Sequence, residues 1–360
     1  MKLTTVIKGA VVAVAVTGLA ATAHAEKLKV GFVYVSPIGD AGWTYQHDIG
    51  RKEMLKALGG KVSARFIEKV PEGPDSERII RRLARSGHKL IFTTSFGYGP
   101  YTIRVAKKYP NAVFMHATGD KTAKNVGTYL ARFYEGRYLT GVVAGKMTKS
   151  NNMGYVAAIP IPEVIRGINA FTMGVRSVNP KAQVRVIWTG SWFDPGKERQ
   201  AAETLIAQGA DVITQHTDSP APVQAAEAKG VYAVGYHSDM SKHGKKAHLT
   251  AAVHNWGAYY TKVAKQVMAG TWKSGAYWGG IKDGIITLAP FGAAVPADVR
   301  KLVTERQAAI AAGTLHPFQG PVKAQDGKTI VAAGKVMTDH DMHGMNYYVE
   351  GIVSKLPKKK

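Results

Sequence analysis

Twice in this chain a tryptophan and an aspartate stand close together just past an apolar run. Asp40-Ala41-Gly42-Trp43 follows the run Leu28–Val35, and Trp192-Phe193-Asp194 follows Val184–Gly190. An indole face stacks on a flat ring, a contact of ~1–3 kcal/mol per nucleobase. A carboxylate accepts hydrogen bonds from N–H or O–H groups. Further polar and aromatic groups sit at or just past the ends of other apolar runs: Phe96, His116, His216, Asp218, His237, Asp239 and Asn255. Taken together they suggest a clamp on a small solute that carries a flat heteroaromatic ring and several donors, with a purine as the obvious candidate. Taken singly, each has a plainer use: a tryptophan can pack its own loop, and Asp40 and Asp218 are placed to cap helices.

Catalytic chemistry finds less support. There is no G-x-S-x-G and no phosphate-binding loop, and Gly97-x-Gly99 lacks a third glycine. His340-Asp341-Met342-His343 and the pair His243 and His248 resemble loose metal ligands. They lie in polar stretches without a further carboxylate at a known spacing, and read as solvated surface. The expectation is a protein that is not an enzyme, with no cofactor and no metal. The absence of cysteine excludes disulfides and thiolate zinc sites. A formal charge of +23 raises the question of nucleic acid. Yet the cations are scattered as pairs such as Arg81-Arg82 and Lys245-Lys246, with one run, Lys358-Lys359-Lys360, at the end. No basic stripe interleaved with aromatics appears, so no nucleic-acid partner is expected.

The elements that must position these groups follow from patterning. Lys2 and Lys8, the apolar run Gly9–Ala20 and Ala23-His24-Ala25 form a signal-peptide pattern over residues 1–25. With no cysteine at the cleavage site a lipid anchor is not expected, which leaves a soluble periplasmic protein. Strand-like runs then alternate with helical ones: Leu28–Val35, Val62–Val70, Lys89–Ser95, Ala112–Thr118, Met153–Ile159, Val184–Gly190, Asp211–His216, Val231–Tyr236 and Leu249–His254. Tyr134, Tyr138 and Val142 recur every four residues, and Pro162, Pro195, Pro220 and Pro296 are placed to open helices. Such alternation predicts an α/β fold with parallel sheets in doubly wound domains. It restarts near Met153, which predicts two lobes: residues 26–135 with about 256–295, and residues 136–255 with about 296–350, followed by a basic tail over 351–360. A hairpin is expected over Pro321–Lys335 and an amphipathic helix near His343–Leu356.

The motifs GDAGWTYQHDIGR, ARFYEGRYLTGVVAGKM, GYVAAIPIPEVIRGINAF, SWFDPGKERQAAETLIAQGADVI, QHTDSPAPVQAAEAKGVYAVGYHSDM, LTAAVHNWG and MNYYVEGI occur in this order over nearly the whole mature chain. In them the chain resembles the basic membrane protein family of solute-binding proteins, which includes purine nucleoside receptors of ABC importers. The resemblance implies a periplasmic-binding-protein type I fold, a hinge, ligand held between two lobes, and delivery to ABC permease subunits by a monomer. It places Asp40 and Trp43 in the first binding loop, Phe96 in the third-strand loop, Trp192 as the facing aromatic and Asp239 as an acid used on purine or ribose groups. Two departures touch the part of the cleft expected near a sugar: His254 and Asn255 stand where a lysine is usual, and His237 where a further aspartate is common. They favour a free base such as adenine over a nucleoside.

Overall fold

The computed structural model describes residues 26–357. The expected signal peptide and the final three lysines lie outside the described residues. The first sheet is built from β1 (Leu28–Val33), β2 (Val62–Ile67), β3 (Leu90–Thr93), β4 (Val113–Ala117) and β5 (Val126–Ala131). The second is built from β6 (Asn152–Ala157), β7 (Gln183–Trp188), β8 (Val212–His216), β9 (Tyr232–His237) and β10 (His248–His254). β11 (Ala276–Gly279) then returns to the first sheet and β12 (Ile286–Leu288) to the second, giving the orders β11-β5-β4-β3-β1-β2 and β12-β10-β9-β8-β6-β7. All pairings are parallel except that of β12 with β10. Each lobe is thus a doubly wound α/β sheet, and each reverses its strand order at one point: between β1 and β3, and between β6 and β8. Ligands in such sheets bind beyond the carboxyl ends of the strands at this reversal.

The inner strands are apolar on both faces because helices cover both sides. β1 and β3 are almost wholly buried, and Phe32 stacks on Phe92 at 4.8 Å between ring centroids. β2, at the sheet edge, is buried only at Val62. Helices α1 (Gly42–Leu58), α2 (Pro74–Arg85), α3 (Gly99–Lys108) and α8 (Gly257–Met268) flank the first sheet; α4 (Phe133–Met147), α5 (Pro162–Arg176), α6 (Pro195–Ala207) and α7 (Ala221–Lys229) flank the second. The four prolines expected to open helices stand at or next to the starts of α5, α6, α7 and α9 (Ala297–Ala312). α4 and α5 lie backbone against backbone: a Cβ on Gly174 would run into the carbonyl oxygen of Tyr138.

The chain passes between sheets three times, after β5, after β10 and between β11 and β12. Backbone and side-chain bonds tie these passages together. Arg132 N–H donates to Gly279 O (2.7 Å), Ile281 N–H to the Glu135 carboxylate (2.7 Å), and Asn255 Nδ2 to Gly284 O and Thr287 Oγ1 (3.2 Å each).

Three differences from the sequence expectation have local causes. β5 was not foreseen: Gly127 interrupts its apolar pattern, and burial on both faces removes alternation. Residues 286–295, grouped with the first lobe on sequence, begin instead with β12, which pairs with β10 of the second sheet. The helix expected near His343–Leu356 does not form: the short α10 (Asp339–His343) stops where it would begin, because the segment beyond Gly344 places its backbone on the edge of β7, where Val184 N–H donates to Gly351 O (2.9 Å) and Val353 N–H to Val184 O (3.0 Å). That segment covers an otherwise open sheet edge. The expected hairpin forms, as β13 (Val322–Lys323) and β14 (Thr329–Val331).

Candidate functional site

A cavity lies between the lobes, beyond the strand ends at both reversal points. Val35, Trp43, Ser95, Phe96 and Thr118 line it from the first lobe, and Glu163, Trp192, His216, Asp218 and His237 from the second. The two lobes meet around it. Gly42 has a φ of +90°, and a Cβ there would collide with the Asp218 carbonyl oxygen; its N–H donates across the cleft to Ser238 Oγ (2.9 Å). Only glycine combines that conformation with so close an approach.

Trp43 enters from the first turn of α1 and is 7 % exposed. Its Nε1–H donates to Thr94 O (2.7 Å), and the rings of His237, Trp256 and His254 abut it edge-on at 5.2, 5.9 and 6.2 Å. The indole is therefore held rigidly. Trp192 is half-buried, and its Nε1–H has no protein partner. Phe96, 42 % exposed, separates the cavity from a neighbouring groove that also includes Glu72, His116 and Asp120.

The second-lobe wall carries a row of ionisable groups. Glu163 Oε1 lies 3.7 Å from His216 Nε2, the His216 and His237 rings are 5.7 Å apart, and His237 Nε2 lies 3.5 Å from Asp218 Oδ1. Burial depresses both histidines well below their ordinary range, and neighbouring positive charge adds to it, chiefly Arg137 for His216 and His254 for His237. Arg137 is itself fully buried behind the wall, over the Tyr236 ring (3.2 Å), and donates to Gln215 O and to Thr214 Oγ1 (3.3 Å). Burial pushes Asp218 well up, with Glu198 adding to the effect and Ser36 opposing it. It pushes Glu163 up to about 7, against the field of Arg166.

Four cavity residues hold buried polar atoms without a hydrogen-bond partner: Thr118 Oγ1, Trp192 Nε1, His216 Nδ1 and His237 Nε2. Desolvated and unpaired, such groups cost ~1–3 kcal/mol each unless something supplies the missing bond. Two of the four residues also hold strained backbones, Thr118 at φ 57° and His237 at φ 68°. Left-handed conformations of this kind cost on the order of 1–3 kcal/mol and gather at functional sites.

Of the sequence candidates, the fold brings Trp43, Phe96, Trp192, His216, Asp218 and His237 to one cavity. The other four lie elsewhere. Asp40 is exposed at the cleft rim, bridging to Lys242 (2.7 Å) of the opposite lobe with His243 Nε2 3.4 Å away, and the Lys242 bond holds its carboxyl below the usual range. Asp239 is exposed, and its Oδ1 accepts the Ser241 N–H (2.9 Å). His116 donates from Nε2 to Ser95 O (2.9 Å) and braces the third-strand loop, while Asn255 ties two of the interlobe passages. Glu163 was missed, although a signal existed: it is the first ionisable residue after β6, one place past the proline that opens α5. The metal-like pairs separate. His343 packs on Trp278 (4.3 Å), His243 faces Asp40, and His248 is buried near Gly235.

The matching family model, described as "Bmp: ABC transporter substrate-binding protein PnrA-like", spans residues 27–315. A purine-binding protein of Brucella abortus is 55 % identical over 94 % of this chain and 97 % of its own length. A Haloferax volcanii protein named for glucose binding in an ABC transporter is 37 % identical over 92 % of this chain and 82 % of its own. Among solved structures, an ABC solute-binding protein of Conexibacter woesei superposes with a TM-score of 0.65 at 25 % identity, covering 80 % of this chain and 98 % of its own. One from Aeropyrum pernix superposes with a TM-score of 0.70 at 20 % identity, covering 88 % and 95 %, and bears on the fold alone. These neighbours share the periplasmic-binding-protein type I architecture seen here. With its two parallel-sheet lobes closed on a cavity at their strand ends, this chain belongs to the Bmp family of PnrA-like ABC transporter substrate-binding proteins.

Proposed function

We propose that this protein captures a purine between its lobes, prefers the free base to the nucleoside, and hands it to the permease of an ABC importer. Membership of the family makes it an ABC transporter substrate-binding protein; that it works outside the cytoplasm and catalyses nothing is part of the proposal. Among the described residues no helix is long and apolar enough to cross a membrane. Export by the expected signal peptide, with no lipid anchor, and action as a monomer belong to the proposal.

The observation that carries the reading is the cavity's pairing of aromatic faces with unpaired polar edges. Trp43, Phe96 and Trp192 offer stacking surface, while Glu163, Asp218 and the unpartnered Thr118, Trp192, His216 and His237 atoms call for both donors and acceptors. A purine supplies a flat face and a rim of alternating ring nitrogens and N–H groups. The name of the Brucella relative supports the same class. His237 on the cavity wall, where the family resemblance has a further aspartate near the sugar, supports a base without its sugar.

A second reading is a hexose, supported by the name of the Haloferax relative and by the use of Trp faces against sugars. Mass spectrometry of the small molecule released from natively purified protein, followed by calorimetry against adenine, guanine, hypoxanthine, adenosine, guanosine and glucose, separates them. Binding of one or more free bases, tighter than their nucleosides and with no heat from glucose, is expected. Tighter nucleoside binding would overturn the preference for the base, and glucose binding alone would overturn the purine class.

A further inference from the structure

Glu163 sits at the strand-order reversal of the second lobe, one residue past the proline that opens α5. Its side chain is only 11 % exposed, yet its carboxyl lies on the cavity wall. His216 Nε2, at 3.7 Å, falls outside hydrogen-bonding range, and among the described residues no protein donor satisfies the carboxylate. Asp218 differs: its carboxylate accepts from Ser36 Oγ at 3.5 Å, and its backbone meets Gly42 of the other lobe. Two open grooves adjoin the cavity. One shares Phe96 with it and the other shares Val35 and Trp192; Glu163 borders neither. A substituent on the ligand atom that faces Glu163 therefore points at neither groove, whereas one facing Phe96 or Trp192 points at one.

A buried carboxylate with no donor needs one from the ligand. A purine base has an imidazole N–H, and that nitrogen carries the sugar in a riboside. We propose that Glu163 separates the free base from its riboside by accepting that N–H on the part of the cavity wall that borders neither groove. The proposal rests on the purine reading. It explains why the acid without a protein donor lines the cavity but neither adjoining groove. It also fits the raised pKa of Glu163, since a carboxyl poised near neutrality ionises readily once a donor is placed against it.

The test is calorimetry of the unmodified protein and of Glu163→Gln with adenine, 9-methyladenine and adenosine, with thermal unfolding to confirm that the variant is folded. The unmodified protein should bind adenine at least about tenfold tighter than the other two, because the charge-assisted bond is available only to the free N–H. In Glu163→Gln adenine should weaken by about tenfold or more, while 9-methyladenine changes by less than about threefold, so the discrimination collapses. Equal losses for adenine and 9-methyladenine would make Glu163 a structural group and overturn the proposal, as would no loss at all. An unmodified protein that binds none of the three compounds, nor guanine or hypoxanthine, would overturn the purine reading, and this assignment with it; one that binds guanine alone passes the same comparison to guanine and 9-methylguanine. An unfolded Glu163→Gln passes the same measurement to Glu163→Asp, whose shortened carboxylate should show the same selective loss; equal losses there overturn the proposal too.

Discussion

The two tryptophans of the cavity face the same space but are built into the protein to different degrees. Trp192 is half-buried, and its Nε1–H is unpartnered. Trp192→Ala should weaken adenine binding by tenfold or more, the lower part of the ~1–3 kcal/mol range for stacking, and lower Tm little. Trp43 is boxed by aromatic rings and bonded to Thr94. Trp43→Ala should lose both binding and about 3–5 kcal/mol of stability, read by calorimetry and thermal unfolding. Glu163 makes a pH prediction in the ligand-free state. Its folded pKa, about 7, stands above the ~4.3 of an unfolded glutamate, so folding favours the protonated form. Its contribution is fully present below the unfolded value and is lost as pH rises through about 7. Glu163→Gln should therefore raise Tm relative to the unmodified protein at pH 8 and change it little at pH 4.5. Sequence pointed to the aromatics because their type and place after apolar runs are visible. It also pointed to Asp40, whose neighbour in the fold, Lys242, lies two hundred residues away and turns it to the rim.

At the scale of elements, function depends on the loop that joins β1 to α1. Gly42 brings this loop against the backbone of Asp218, and Asp40 reaches Lys242 beside it. Gly42→Ala should abolish tight binding, because its methyl would hold the lobes apart, while the separate lobes keep their structure. Unchanged affinity would show that closure does not pass through this contact. Asp40→Asn should act far more weakly. The pair is largely exposed, with side chains 62 % and 51 % accessible, and such bridges contribute ~0–1 kcal/mol. A loss of less than about fivefold is expected, shrinking further as salt is added. Most strands and the four proline-opened helices were legible from apolar runs and from proline. β5 was not, because a strand covered on both faces loses the alternation that marks strands, and glycine breaks its run.

For the whole molecule, the two lobes and three passages define a hinge, and the described arrangement has the lobes in contact around the cavity. A ligand that binds only when the lobes meet should close and stabilise the protein together. Small-angle scattering should show a smaller radius of gyration with saturating adenine. At a hundred times Kd the stabilisation should be about 2.7 kcal/mol, seen as a rise in Tm. A rise in Tm with no change in scattering would mean that the ligand-free protein is already closed.

The sequence by itself determined the fold class, because alternating apolar runs and helix-opening prolines are local signals, and it marked the strand ends as the place for chemistry. It determined the family through ordered motifs that no local rule requires. Only the tertiary structure decided which strand-end residues share a cavity. That choice depends on strand order and on the approach of two lobes: the reversal between β6 and β8 brings Glu163 beside His216, the contact at Gly42 brings Asp218 to the cavity that Trp43 lines, and Lys242 holds Asp40 at the rim. Neighbours in this site are distant in the chain, and nothing in the spacing of residues along a chain encodes a distance across a cleft.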